Sequence, residues 1–519
     1  MRWMRTMCAK MSYGGNHSFM RQSGILLHVT SLPSKYGIGS LGLSAYKFID
    51  FLHDARQNLW QVLPLSPTGY GDSPYQSCST VAGNEYLIDL DILKDEGLLT
   101  DEDLAPYVVK TERIDYGYIY NTRFNILNIA YRNFKKNKAF KDFVSDGKFY
   151  NYALFRALKD KFNKPWYEWP VEFSSPTSPA VVEFAEKNKR KVEFWLFLQY
   201  EFAKQWKALK AYANSRHVKI IGDMPIYTAH DSVEMWESPE LFLVKNGKPT
   251  LVAGVPPDYF SKTGQLWGNP LYNWTYHKKT NFEWWIKRLA HNAELFDIVR
   301  IDHFRGFSAF WAVPFGDETA VNGKWLNAPG RELFDAVKER IPDMSIIVED
   351  LGTLDNRARH LISHVGYPNM KIAQFGLTGD QGNEHYPLNF QKNCVVYTGT
   401  HDNNTTVGFI RTLRKDKRTN MINNVNRLID VYRLDKLPDA PTSKDYSDAV
   451  VAALLKSNAD TAIVPLQDYM SLDASARMNT PSTLSCQNWS YMTSDKVFTD
   501  FNLADKIRIL TIKANRNIE

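Results

Sequence analysis

The run Phe296-Asp297-Ile298-Val299-Arg300-Ile301-Asp302 decides how this chain reads, together with Ser345-Ile346-Ile347-Val348-Glu349-Asp350 and Cys394-Val395-Val396-Tyr397-Thr398-Gly399-Thr400-His401-Asp402. Each is a short apolar stretch rich in β-branched residues that leads into a carboxylate. Runs of this kind, apolar at consecutive positions, read as strands buried on both faces of a parallel sheet. Parallel neighbours present their C-terminal ends on one side, so Asp302, Glu349 and Asp402 are expected to share a cleft.

Five further strands are read by the same criterion: Gly24 to Val29, Leu59 to Leu65, Val218 to Asp223, Met370 to Phe375 and Ala462 to Asp468. Eight parallel strands with helical patterns between them, for instance Tyr46 to Ala55 and Phe334 to Arg340, predict a (β/α)8 TIM barrel of α/β class. The spacing is uneven. Residues 67–217 carry Leu, Phe, Tyr and Lys at helical period and read as a largely helical inserted subdomain; 404–460 reads as a second helical insertion. Residues 1–22, basic and Met-rich, read as a loose N-terminal extension or a short targeting piece, and 23–519 as the catalytic barrel.

At 519 residues and 44% hydrophobic content the chain can bury a large core. The net charge of +6 arises from 63 basic and 57 acidic residues spread along the chain, which gives no support to nucleic-acid binding. Four cysteines, Cys8, Cys78, Cys394 and Cys486, are too dispersed for a disulfide framework. No apolar run approaches the roughly 20 residues that span a bilayer, and no secretory signal is evident, so a cytoplasmic enzyme is expected.

Gly37-Ile38-Gly39-Ser40-Leu41-Gly42 matches the glycine pattern of dinucleotide-binding folds, but no acidic residue ends the next strand to hold a ribose. The glycines are read instead as shaping a tight loop, and no cofactor is expected. His28, His303 and His401 at strand ends admit a metal-dependent barrel hydrolase; the first strand lacks a His-x-His pair and no His-Glu-x-x-His occurs, so no metal is assigned. Each carboxylate taken alone could simply cap a following helix. As a cluster flanked by Arg300 and Arg305 they suit glycosidic bond chemistry: the arginines would keep a nucleophile ionised, while desolvation or Asp350 would raise Glu349 for proton donation.

Several segments carry a resemblance. Arg300 to Gly306, Ile347 to Gly352 and Gly399 to Thr405 are similar to signatures of the 4-alpha-glucanotransferases, the amylomaltases of glycoside hydrolase family 77. Pro67 to Gln76, Gly222 to Tyr227 and the stretches Gly254 to Phe260 and Gln265 to Pro270 add to it, and the likeness runs from about residue 23 to 515.

The resemblance implies a barrel of the α-amylase superfamily type and a retaining double displacement on maltooligosaccharides and alpha-1,4-glucans. Asp302 would be the nucleophile, Glu349 the acid/base and Asp402 the transition-state stabiliser. Tyr75, Asp223, Arg300, His303, His401 and Asn479 match sugar-contacting positions, and Tyr70 matches a residue of a remote glucan groove. The loop Gly254 to Trp274, with Asp258, Tyr259, Phe260 and Trp267, is the expected cover over acceptor sugars; Asp258 and Trp267 are its binding candidates. Rival readings are a retaining alpha-glucan hydrolase, the metal-dependent hydrolase and a catalytically silent glucan-binding protein.

Overall fold

A computed structural model describes residues 21–257, 261–352 and 354–517. All eight predicted strands form, as β1 (Gln22–Leu26), β2 (Leu59–Gln61), β3 (Lys219–Met224), β4 (Ile298–Ile301), β5 (Ile346–Val348), β6 (Asn369–Ile372), β7 (Cys394–Tyr397) and β8 (Thr461–Pro465). They close in sequence order into one barrel, every neighbouring pair parallel, with β1 joining β8. The contiguous apolar runs are explained by burial: all of β5 and β7 is shielded from solvent, as are Val299, Arg300 and Ile301 of β4. The fold is a (β/α)8 TIM barrel.

The strands are shorter than the apolar runs suggested. β6 yields at Ile372 to a 3-10 turn, Ala373–Phe375, and β8 yields at Pro465 to the short helix Leu466–Tyr469. Amphipathic helices complete most crossovers, including α1 (Leu43–Asp54) between β1 and β2 and α2 (Gly330–Arg340) between β4 and β5. The β6–β7 connection departs from the pattern: it holds only the 3-10 turns Ala373–Phe375 and Pro387–Asn389.

Between β2 and β3 the chain is helical, ending in the 27-residue helix Lys189–Ser215, which leads straight into β3. Between β7 and β8 lie the helices Thr406–Thr412, Lys415–Tyr432 and Ser443–Lys456. The stretch expected to be a loop from Gly254 to Trp274 is in part sheet, at its start and over Gln265–Pro270. Leu251–Val255 and Gln265–Pro270 pair antiparallel, and Ala309–Pro314 and Lys324–Asn327 extend them to four strands. Its pattern escaped reading because the strands contain Gly and Pro and lie partly exposed, so neither the apolar run nor the alternation is complete.

Residues 37–42 form the tight loop expected of them and feed directly into α1, whose N-cap is Gly42. A Cβ on Gly39 would sit 2.0 Å from the Val29 carbonyl oxygen, and one on Gly42 would sit 2.0 Å from the Asp89 carboxylate. Close backbone approach is what these glycines serve. Among the described residues no helix is long and apolar enough to cross a membrane. The N-terminal reading, residues 1–22, falls almost wholly outside the described residues.

Candidate active site

Asp302 and Glu349 are each the first residue beyond their strand, β4 and β5. Their backbones are tied into the neighbouring strand ends. The Asp302 N–H donates to Met224 O at 3.0 Å, the Glu349 N–H to Ile301 O at 3.0 Å, and the Phe304 N–H to Glu349 O at 2.9 Å. His303 adopts a left-handed φ of 49°, an uncommon conformation for a side-chain-bearing residue. Its N–H thereby donates to Glu349 Oε2 at 2.8 Å, while the Leu351 N–H donates to Oε1 at 2.6 Å. Glu349 caps no helix.

The register of β3 on β4 sets Asp223 beside Arg300. The buried Arg300 guanidinium donates from Nη1 to both Asp223 carboxylate oxygens at 2.7 Å and places Nη2 3.2 Å from Asp302. Tyr75 Oη donates to Asp223 Oδ2 at 2.7 Å, and its ring stacks on His401 at 5.1 Å. Asp402 lies further past its strand, in the turn after β7, and is held by the Asn479 side-chain amide donating to Oδ1 at 2.7 Å. Trp267, from the antiparallel sheet, meets His303 edge-on at 4.8 Å.

The structure thus brings Tyr75, Asp223, Arg300, Asp302, His303, Glu349, His401, Asp402, Asn479 and Trp267 into one contact network at the C-terminal mouth of the barrel. Asp258, Tyr259 and Phe260 lie outside the described residues. Tyr70 begins the 3-10 turn Tyr70–Asp72, and nothing is described of its side chain.

Two residues of this network were missed. Arg477 donates to the Asp402 carbonyl at 2.6 Å and to the Asn479 carbonyl at 2.7 Å; its position in the same short motif as Asn479 was the available signal. Trp489 lies 5.9 Å from both the Tyr75 and His401 rings, a long-range contact with no local signature.

One expectation needs correction. Arg305 does not flank the acids: its guanidinium pairs with Asp355 at 3.2 Å and lies 4.0 Å over the Trp325 ring. Among the described residues Arg300 is the cation in contact with Asp302, and it is outweighed. Burial raises the Asp302 carboxyl well above the carboxylate range; Arg300 opposes this, and Asp223, Glu349 and Asp402 reinforce it. Burial also raises Glu349, against Arg300 and the two backbone N–H donors, with Asp350 adding a smaller push in the same direction. Desolvation is therefore the larger of the two causes foreseen for Glu349. Each of the two acids holds a proton to higher pH than an isolated carboxyl does.

Burial pushes His28 down to about 3 and His303 to about 4, and it lowers His401, so all three are neutral at pH 7. His28 Nδ1 already accepts the Leu63 N–H at 3.2 Å. Such an arrangement offers a nucleophile, a proton donor and fixed charge around a position for a neutral, hydroxyl-rich ligand.

A family model described as 4-alpha-glucanotransferase, glycoside hydrolase family 77, matches residues 27–496. The 4-alpha-glucanotransferase of Clostridium butyricum is 46% identical over 495 residues, covering 93% of this chain and 99% of that one. That of Aquifex aeolicus is 42% identical and covers 89% and 93% respectively. Among solved structures, amylomaltase from Streptococcus agalactiae in complex with acarbose superposes with a TM-score of 0.90 at 39% identity, over 96% of this chain and 99% of that one. With the match running through every strand from β2 to β8 and the architecture shared from end to end, the chain belongs to the 4-alpha-glucanotransferase family, glycoside hydrolase family 77.

Proposed function

We propose that this protein is a 4-alpha-glucanotransferase that moves a segment of a 1,4-alpha-glucan onto the 4-hydroxyl of an acceptor glucose or glucan, with retention of configuration. The observation that carries the reading is the fixed pair of strand-end acids, Asp302 in contact with Arg300 and Glu349 gripped by two backbone N–H groups. Asp302 attacks the anomeric carbon while Glu349 gives its proton to the departing glycosidic oxygen, leaving a covalent glycosyl ester on Asp302 and a free shortened glucan. The acceptor hydroxyl then passes its proton to Glu349 and displaces Asp302, so both acids end as they began.

In the reactive state the proton belongs on Glu349, because Arg300 makes its direct contact with Asp302, while the hydrogen bonds on Glu349 come from two neutral backbone N–H groups. Asp402, oriented by Asn479, stabilises the positive charge that grows on the sugar. Tyr75, Asp223, His303, His401 and Trp267 bind the sugars around the bond that breaks. Asp258 and the Tyr70 side chain belong to the same reading, as an acceptor-side ligand and a second glucan contact. Transfer prevails over hydrolysis when a bound acceptor is better placed than water. We also read 67–217 and 404–460 as insertions on the barrel, and the enzyme as cytoplasmic, given its dispersed cysteines.

The test is incubation with maltotriose and EDTA, with products resolved by size and total reducing ends followed. A ladder of longer maltodextrins plus glucose at constant reducing ends is expected. Rising reducing ends with shorter sugars alone would indicate the hydrolase, and abolition by the chelator would indicate the metal-dependent enzyme.

A further inference from the structure

We propose that Tyr167 and Phe315, bridged by His230, form a glucan-stacking platform on the rim of the barrel mouth, which holds the part of a long donor or acceptor chain that extends beyond the catalytic site. This rests on the reading of the protein as a glucanotransferase. Three separate segments converge to build it. Tyr167 comes from the helical region between β2 and β3, His230 from the segment leaving β3, and Phe315 from the end of an antiparallel strand. The Tyr167 and His230 rings lie flat on one another, centroids 4.1 Å apart and planes 9° apart, and Phe315 meets His230 edge-on at 5.6 Å.

Both outer rings are open to solvent, Tyr167 at 41% and Phe315 at 44% exposure. The exposure is held in place rather than loose. The neighbouring Trp166 is buried, donating its N–H to Asp231 Oδ1 at 3.0 Å and its indole Nε1–H to His230 O at 2.9 Å. Asp231 also pairs with Lys159. Phe315 is pinned by its N–H to Thr250 O at 3.2 Å. Rigid aromatic faces present contact area at low entropic cost, and the C–H faces of pyranose rings are their natural complement. Burial raises the Tyr167 hydroxyl, with the carboxylates of Asp231 and Glu168 adding to it, so it stays protonated as a donor to sugar hydroxyls. Burial lowers His230, so the ring joining the platform is uncharged at neutral pH and suits a neutral ligand better than an ion.

Position favours a glucan over other occupants. His230 follows Asp223 in one continuous segment leaving the mouth, so the platform lies at most roughly 25 Å from the Arg300–Asp223 pair. The sheet that ends in Phe315 also carries Trp267 against His303. A maltooligosaccharide of several units can span a separation up to that bound, and maltotriose covers less of it.

The experiment compares wild type with the Tyr167→Ala/Phe315→Ala double variant on maltotriose and on maltoheptaose, with thermal midpoints recorded. A KM for maltoheptaose raised about three- to tenfold, with kcat, maltotriose kinetics and thermal midpoint held, is expected. An unchanged KM for maltoheptaose, or equal changes on both sugars, would overturn the platform. Titration of maltoheptaose onto the Asp302→Asn protein, with and without the double change, reads binding alone. If wild type fails to disproportionate maltotriose, the glucanotransferase reading falls, while the titration still judges the platform.

Discussion

The two ends of the barrel each bury an arginine, but on different partners. At the mouth Arg300 faces carboxylates, Asp223 at 2.7 Å and Asp302 at 3.2 Å. At the floor Arg516, with no solvent exposure, spends its donors on backbone carbonyls: Leu455, Gln22, Asp460, Ser457 and Ala459, at 2.7 to 3.4 Å. Arg21 adds bonds to the carbonyls of Ala514, Leu455 and Ser457. Carbonyl dipoles can satisfy a buried cation without supplying a titratable group, so the floor clamp fastens the starts of β1 and β8 to the chain end. Carboxylates around Arg300 leave charges whose balance shifts when a reaction moves a proton or forms an ester. One residue type closes the barrel at one end and prepares chemistry at the other.

Substitutions at the two ends should therefore separate activity from stability. The largest effect is expected for Asp302→Asn, which removes the nucleophile: transfer from maltotriose should fall by about 10⁴-fold or more with the thermal midpoint kept. Substantial residual transfer would remove Asp302 from the nucleophile's role. Arg300→Lys keeps the charge but cannot fork across Asp223 and Asp302, and kcat should fall by roughly 10²-fold while the barrel stays folded.

The same exchange at the floor, Arg516→Lys, leaves several buried carbonyls without donors. It should lower the thermal midpoint by roughly 5 °C and leave kcat per folded molecule unchanged. A loss of kcat at constant midpoint would erase the contrast between the ends.

Acid gives a smaller, graded effect. His28 beneath the mouth is pushed down to about 3 and His277 to about 4, both by burial. Each unfolds into a chain where histidine titrates near 6.5, so their contribution is present above that value. It is lost as pH falls from 6.5 toward the folded values, at about 1.4 kcal/mol per histidine per pH unit. Between pH 7.5 and pH 5.0 the denaturant midpoint of His277→Gln should fall less, or rise more, than that of wild type; an unchanged difference would contradict the buried neutral state.

The floor was the less legible end. All eight strands could be read because a barrel strand buried on both faces is a contiguous apolar run, as in Ile346–Val348. Asp302 and Glu349 could be located because they stand at the ends of those runs, and Asp402 because it follows its run by one short turn. Arg516 carried no pattern: its carbonyl partners come from residues 22 and 455–460, and no local rule joins them. The placement of Arg305 failed for a similar reason, since sequence proximity to Asp302 says nothing about a side chain that leans out to Asp355 and Trp325. The antiparallel sheet near the mouth was hidden by its own exposure, and Trp489 by its distance along the chain from Tyr75 and His401.

The most direct test of the account is to trap the ester. Glu349→Gln should be incubated with a maltotriosyl fluoride, whose leaving group needs no proton, and its intact mass and proteolytic peptides measured. A single added maltotriosyl group carried by the peptide containing Asp302 is the predicted result. An unmodified protein that nevertheless releases fluoride, or an adduct on any other residue, would contradict it.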